Sequence, residues 1–299
     1  MHCNRPLALA GLLAGVLVTP VAAQPAARTT PAVGVGPQYD TTHVYVAEAD
    51  MAAFATSFTA TFGGKVTTPA TMTVTPTPSS TRFEAVQTPA GSLSVFGFTT
   101  PIPYVFGAER TGFLVTDMDV AIEAAKADGA DVLVSPFPDP IGRDAVIQWP
   151  GGVNMQLYWH TTPPSYAPFA TIPENRLYLS KEEADAFVRD FVAFSHGAVT
   201  ADDAAAPGVE IGRPGETYRR IRISSAFGKA VVLVTDGHLP WPYGRELTGY
   251  EVSDLTATLG RATASGAKVL VPPYQADHRD AAIVQFPGGY IAEIHAVSP

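Results

Sequence analysis

The chain repeats itself, and that repeat limits the possible folds before any local propensity is weighed. His43-Val44-Tyr45-Val46, followed by Ala49-Asp50-Met51-Ala52-Ala53-Phe54, returns as Arg176-Leu177-Tyr178-Leu179, followed by Glu183-Ala184-Asp185-Ala186-Phe187. The offset is 133 residues, Arg176 against His43. Further on, Thr111-Gly112-Phe113 returns as Thr248-Gly249-Tyr250. Arg143-Asp144-Ala145 and Pro150-Gly151-Gly152 return as Arg279-Asp280-Ala281 and Pro287-Gly288-Gly289. Gly249 against Gly112 gives 137, so the halves differ only by a few loop residues.

Each half contains a finer pattern. A short strand around Tyr45 precedes Phe54, Phe58 and Phe62, whose spacing of four marks the apolar stripe of a helix ending at Gly63-Gly64. Three short strands follow, clearest over 82–87 and 92–98. The order recurs as a strand over 112–115, a helix over 119–128 stopped by Gly129, then strands over 132–135, 144–149 and 154–159. The expectation is an α+β protein of four βαβββ modules in two tandem domains, 41–160 and 175–297, with the Pro-rich stretch 161–174 as a linker.

The N-terminus reads as an export signal. One positive charge, an apolar run from Leu7 to Val18 and the small-residue site Val21-Ala22-Ala23 occur in secretory order, so residues 1–23 are expected to be removed and the protein to be secreted or periplasmic. The apolar run is shorter than the roughly 20 residues that span a bilayer, so no membrane insertion is expected after cleavage. Residues 24–40, rich in Pro, Ala, Thr and Gly, read as a disordered leader. The only cysteine, Cys3, lies in the segment to be removed, which excludes thiol catalysis and disulfides in the mature chain. A net charge of -9 with 16% charged residues and no basic cluster argues against a nucleic-acid partner.

The helix-to-strand turn Ala127-Asp128-Gly129-Ala130-Asp131-Val132, its counterpart Ser265-Gly266-Ala267-Lys268-Val269 and the two Pro-Gly-Gly turns resemble the glyoxalase / bleomycin-resistance / extradiol-dioxygenase (vicinal oxygen chelate, VOC) superfamily. The resemblance covers about residues 41–297 and implies glyoxalase-like domains that curl around a cleft. It also implies a divalent metal in some members, held from the first strand of each module and the last strand of a module. Those places fall on His43, Val95, Gly112 and Gln156 in the first half and on Arg176, Val232, Gly249 and Glu293 in the second. Valine and glycine cannot ligate through side chains and arginine repels a cation, so neither half supplies the three donors a divalent site needs. Arg176 facing Glu293 admits two readings, a guanidinium standing in for the metal or a purely structural ion pair. If modules pair crosswise, first with fourth, then His43, Glu293 and His295 share a cleft and a divalent metal stays open.

Strand alternation puts Gln156, Tyr158 and His160 on one face, Glu293 and His295 on the equivalent face, and Tyr45 and Tyr178 beside His43 and Arg176. Such a lining suits a small polar or aromatic molecule. Arg220 and Arg222 share a strand face where they either meet an anionic group or stand at a solvated edge. Arg143-Asp144 and Arg279-Asp280 are expected at the start of a strand, in local ion pairs or turn contacts. Two functions follow from the resemblance. One is a lyase, isomerase or ring-cleaving dioxygenase, with His43, Glu293 and Arg176 as catalytic groups. The other is a metal-free binding protein of the bleomycin-resistance type. No phosphate loop, nucleophile elbow or zinc helix is present in the sequence.

Overall fold

The computed structural model describes Met1 and residues 30–297; the expected export signal, residues 1–23, lies almost wholly outside the described residues. The first module is β1 (Thr41–Tyr45), α1 (Met51–Phe62), β2 (Lys65–Val66), β3 (Ala70–Met72), β4 (Thr81–Thr88) and β5 (Gly91–Phe98). The second is β6 (Thr111–Leu114), α2 (Met118–Ala127), β7 (Asp131–Asp139), β8 (Gly142–Trp149) and β9 (Val153–His160). The third is β10 (Glu174–Leu179), α3 (Lys181–Ser195), β11 (Ala198–Pro207), β12 (Thr217–Ser225) and β13 (Gly228–Val234). The fourth is β14 (Leu247–Glu251), α4 (Leu255–Ala264), β15 (Lys268–Ala276), β16 (Arg279–Gln285) and β17 (Ile291–Val297). The architecture is therefore α+β, four modules of the expected order, with the first module's outer strand broken in two.

Local chemistry explains the helix ends. Asp117 and Asp254, equivalent in the two halves, accept from the N–H groups of Val120 and Ala257, and Ser180 accepts from Glu183. α1 stops at Gly63, whose φ of 80° is open to glycine at little cost.

Modules pair within each half. One sheet runs β2-β4-β5-β1-β6-β9-β8-β7, with β3 also on β4, and the other runs β11-β12-β13-β10-β14-β17-β16-β15. The central contacts are antiparallel, β1 with β6 and β10 with β14. The hydrophobic cores behind the sheets do the opposite and join modules crosswise. Phe54 and Phe58 of α1 pack with Tyr250, Phe286 and Ile294 of the fourth module. Trp149 and Ile122 of the second pack with Phe187, Phe191 and Phe194 of α3. Neither half therefore closes its own helix face, and burial of these aromatic side chains, worth about 2 kcal/mol each, fastens the halves together.

Two expected boundaries change. Within the stretch 24–40 expected to lack structure, Val33 is buried in the second core, Val35 N–H donates to Leu114 O at 3.1 Å, and Asp40 Oδ1 accepts from Leu114 N–H at 3.3 Å. The segment pairs antiparallel beside the end of β6, where β1 no longer runs and the backbone groups need partners. The linker also ends one residue early, because Glu174 opens β10. Among the described residues no helix is long and apolar enough to cross a membrane.

Candidate functional site

The two sheets curl around clefts with the same strand positions and different contents. In the first, His43 and Tyr45 of β1, Ser94 and Phe96 of β5, Asp144 of β8, and Gln156, Tyr158 and His160 of β9 line a cavity of about 240 Å³. All the residues assigned to this cleft by alternation face it. Gly112 makes the arrangement feasible, since a Cβ there would lie 2.6 Å from His43 Nε2. The walls are aromatic: the rings of Tyr45 and Phe96 stack at 5.1 Å between centroids, and Phe83 stands 5.6 Å from Phe96.

Glu109 was not foreseen. It is fully buried in the loop before β6, accepts from the Tyr45 hydroxyl, and lies 3.4 Å from His43 Nδ1. Burial, reinforced by the Glu109 charge, pushes the Tyr45 phenol well above its usual range. The signal was in the repeat, because Glu109-Arg110-Thr111-Gly112 returns as Glu246-Leu247-Thr248-Gly249. Glu246 lines a separate polar cavity of about 150 Å³ between the halves, beside Arg110 and Arg245 and across from His43 and Tyr45. Burial raises its pKa to about 7, with Asn175 and Arg110 acting in the opposite direction.

Asp144 is the second unforeseen group. Its side chain faces the cleft, is 6% exposed, and takes a hydrogen bond from Gln156. Burial, helped by the nearby Asp139, pushes its pKa well above the usual carboxylate range, and the Gln156 contact offsets only part of this. Arg143, at the start of its strand, forks onto Asp119 at 3.0 and 2.9 Å on the outer surface. Its sequence counterpart Arg279 points inward. Arg143 precedes Pro150 by seven residues but Arg279 precedes Pro287 by eight, and one residue in a strand reverses the face. Register confirms the flip: Asp144 lies opposite Tyr158, whereas Ala281 lies opposite His295.

The second cleft is filled by charge. Arg176 Nε donates to Glu293 Oε2 at 2.9 Å and its Nη1 reaches Glu174 Oε2 at 3.3 Å. Arg279 forks onto Glu174 at 2.7 and 2.8 Å, and His295 Nδ1 lies 2.9 Å from Glu293 Oε1. Arg176, Glu174, Glu293 and His295 are all buried. Burial opposes the charges on Glu293 and Glu174, but Arg176 holds the first, and Arg279 the second, below the usual carboxylate range. Arg220 is not available to an anionic ligand, because Glu210, Asp203 and Asp277 already engage it. Tyr178 packs with Tyr218, Val231 and Leu233 at the cleft wall.

The metal positions implied by the resemblance can now be tested. Val95 and Val232 face the outer cores, and their neighbours Ser94 and Val231 stand beside His43 and Arg176 instead. His43 and Glu293 belong to different sheets, which removes the crosswise set of His43, Glu293 and His295. Among the described residues, one group of three donors converges, Glu174, Glu293 and His295. Its carboxylate oxygens already accept from two guanidinium groups, so a divalent ion does not fit without displacing Arg176 and Arg279.

Two tandem domains, each a curled sheet of paired βαβββ modules around a cleft, are the fold of the VOC superfamily. No protein-family profile matches the chain, and no curated protein matches it. Among solved structures, a triple mutant of 4-hydroxymandelate synthase from Streptomyces coelicolor is similar with a TM-score of 0.58 at 12% identity, over 86% of this chain and 91% of that one. The 2,3-dioxygenase LapB from a Pseudomonas species follows with 0.52 at 10%, over 91% and 94%. A fusion of a xylose isomerase-like TIM barrel with 4-hydroxyphenylpyruvate dioxygenase gives 0.53 at 13%, over 90% of this chain and 50% of that one. At such identities the likeness is one of fold.

Proposed function

We propose that the protein binds a small aromatic molecule in the first cleft without a metal, in the manner of the bleomycin-resistance branch of this fold, and that the second domain is a closed structural partner. One observation carries the reading. The first cleft encloses about 240 Å³ between aromatic walls and a polar row, while in the second the equivalent positions are taken by paired guanidinium and carboxylate groups. A cavity of about 150 Å³ already accommodates benzene, so 240 Å³ suits one substituted ring. Tyr158, Gln156, His160 and Ser94 supply directional contacts to its substituents. Neighbours of this fold act on hydroxylated aromatic compounds by name, which fits the class of ligand. Calorimetric titration of a panel of substituted phenols into protein treated with a chelator tests it. Binding at one site per chain that survives chelation is expected; binding that requires added divalent metal refutes it.

A second reading, proton-transfer catalysis without a metal, draws on one observation: the buried Asp144 borders the same cavity as His43 and Tyr45, which Glu109 joins from behind the wall. Turnover of a bound phenol or its carbonyl tautomer, lost in Asp144→Asn, distinguishes it from binding alone. The export signal and a secreted or periplasmic location are part of the proposal, supported by the order of charge, apolar run and small residues at the N-terminus.

A further inference from the structure

The duplication supplies a comparison that the first cleft alone does not. In the second domain, every cleft carboxylate is matched by a guanidinium from the same chain: Glu174 by Arg279, Glu293 by Arg176. In the first domain, the cations are gone. His43 stands where Arg176 stands, Gly142 has the strand place of Arg279, and neither Lys nor Arg lines the cavity. Their carboxylate partners are replaced too, Glu174 by Thr41 and Glu293 by Gln156, but the first cleft has carboxylates of its own. Asp144 is buried at the cavity wall, Asp139 lies at its rim, and among the described residues no ion pair involves either of them.

We propose that the first cleft selects an aromatic molecule bearing a protonated amine, with the ammonium group received by Asp144 and Gln156 and screened outward by Asp139. The inference rests on the first cleft being the ligand site. A buried carboxylate without a cation is costly in its charged form, and burial accordingly raises the pKa of Asp144. An ammonium group arriving beside it offsets that cost through a charge-assisted ammonium-carboxylate contact. The aromatic walls of Tyr45, Phe83 and Phe96 favour a cation as well, through their ring faces. An anionic ligand meets the opposite situation, two carboxyl groups and no fixed positive charge. The groups that face Asp144 are Gln156 and Tyr158 from β9 and Asp139 from β7. His160 flanks Tyr158, and His43 with Glu109 lies across the cavity.

A matched set of probes isolates the charge: 2-(4-hydroxyphenyl)ethylamine, the corresponding alcohol, and 4-hydroxyphenylacetate, titrated calorimetrically at pH 7.5. The amine is expected to bind at least tenfold more tightly than the alcohol, with the carboxylate weakest. Asp144→Asn, which keeps the side-chain volume, should erase the amine preference, with a thermal melt confirming the fold. Equal binding of alcohol and amine, or preference for the carboxylate, overturns charge selection and leaves the cleft as a ligand site. Failure of all three probes to bind overturns the cleft reading and this inference together.

Discussion

Replacing Arg176 with Met removes the charge at the centre of the second cleft and leaves its surroundings packed. Arg176 is 1% exposed and its Nε lies 2.9 Å from Glu293 Oε2; without it, Glu293 keeps His295 at 2.9 Å and a distant Arg279 at 3.7 Å. Breaking one side of a buried pair costs about 3–5 kcal/mol; the remaining contacts place this case near ~3 kcal/mol. For a domain of this size that is a drop in Tm of roughly 10 °C at pH 7. The pH dependence is diagnostic. In the wild type the Glu293 carboxyl is held below its ordinary value of 4.5, so its contribution is present above that pH and is lost as pH falls through the folded pKa. In the variant the unpaired carboxyl rises above 4.5 and penalises folding only where it must ionise, so the deficit is greatest near neutrality and shrinks toward pH 4. Urea melts at pH 7, 5.5 and 4 measure this, and adding Glu293→Gln to Arg176→Met should recover much of the loss. A deficit under 1 kcal/mol, or one that does not vary with pH, would refute the account of Arg176 as the internal counter-charge.

Glu246→Gln should stabilise the protein at pH 8 and not at pH 4. The unfolded chain ionises Glu246 above about 4.5 while the folded chain keeps the proton to about 7, so raising pH through that window penalises the wild type alone; part of the side chain meets solvent, which limits the gain to about 1–2 kcal/mol, read from melts against pH. Gly112→Ala should displace the His43 ring and weaken ligand binding in the first cleft, with about 1–3 kcal/mol lost from stability, whereas Gly249→Ala meets Arg176 at 3.2 Å and should cost less; paired calorimetry and thermal melts compare them. Arg143→Ala should change stability by less than about 1 kcal/mol, because its pair with Asp119 is solvated, but Arg279→Met should cost about 3 kcal/mol by leaving Glu174 short of a partner; chemical denaturation of both variants checks the contrast. N-terminal sequencing of protein exported from its native cell should begin near Gln24, and retention of Leu7 would remove the export reading.

The sequence by itself determined the duplication, the four modules and most strand and helix positions, because these rest on periodicities of about 3.6 and 2 and on glycine and aspartate signals at element ends, all of them local. It also determined which residues of β1, β9, β10 and β17 share a face, and so the lining of both clefts along those strands. What it left open depended on contacts far apart in the chain. Local pairing of the sheets and crosswise pairing of the cores could not be separated by pattern, since Phe54 and Phe187 are equally apolar toward either partner. Glu109 and Glu174 lie in a loop and at a strand's first residue, where alternation assigns no face, and only packing shows them buried against His43 and Arg176. The decisive difference is the single extra residue between Arg279 and Pro287, visible in the spacing but without meaning until strand register turned it into geometry. In the second half it sends an arginine inward to neutralise the cleft; in the first it leaves an aspartate there without a cation.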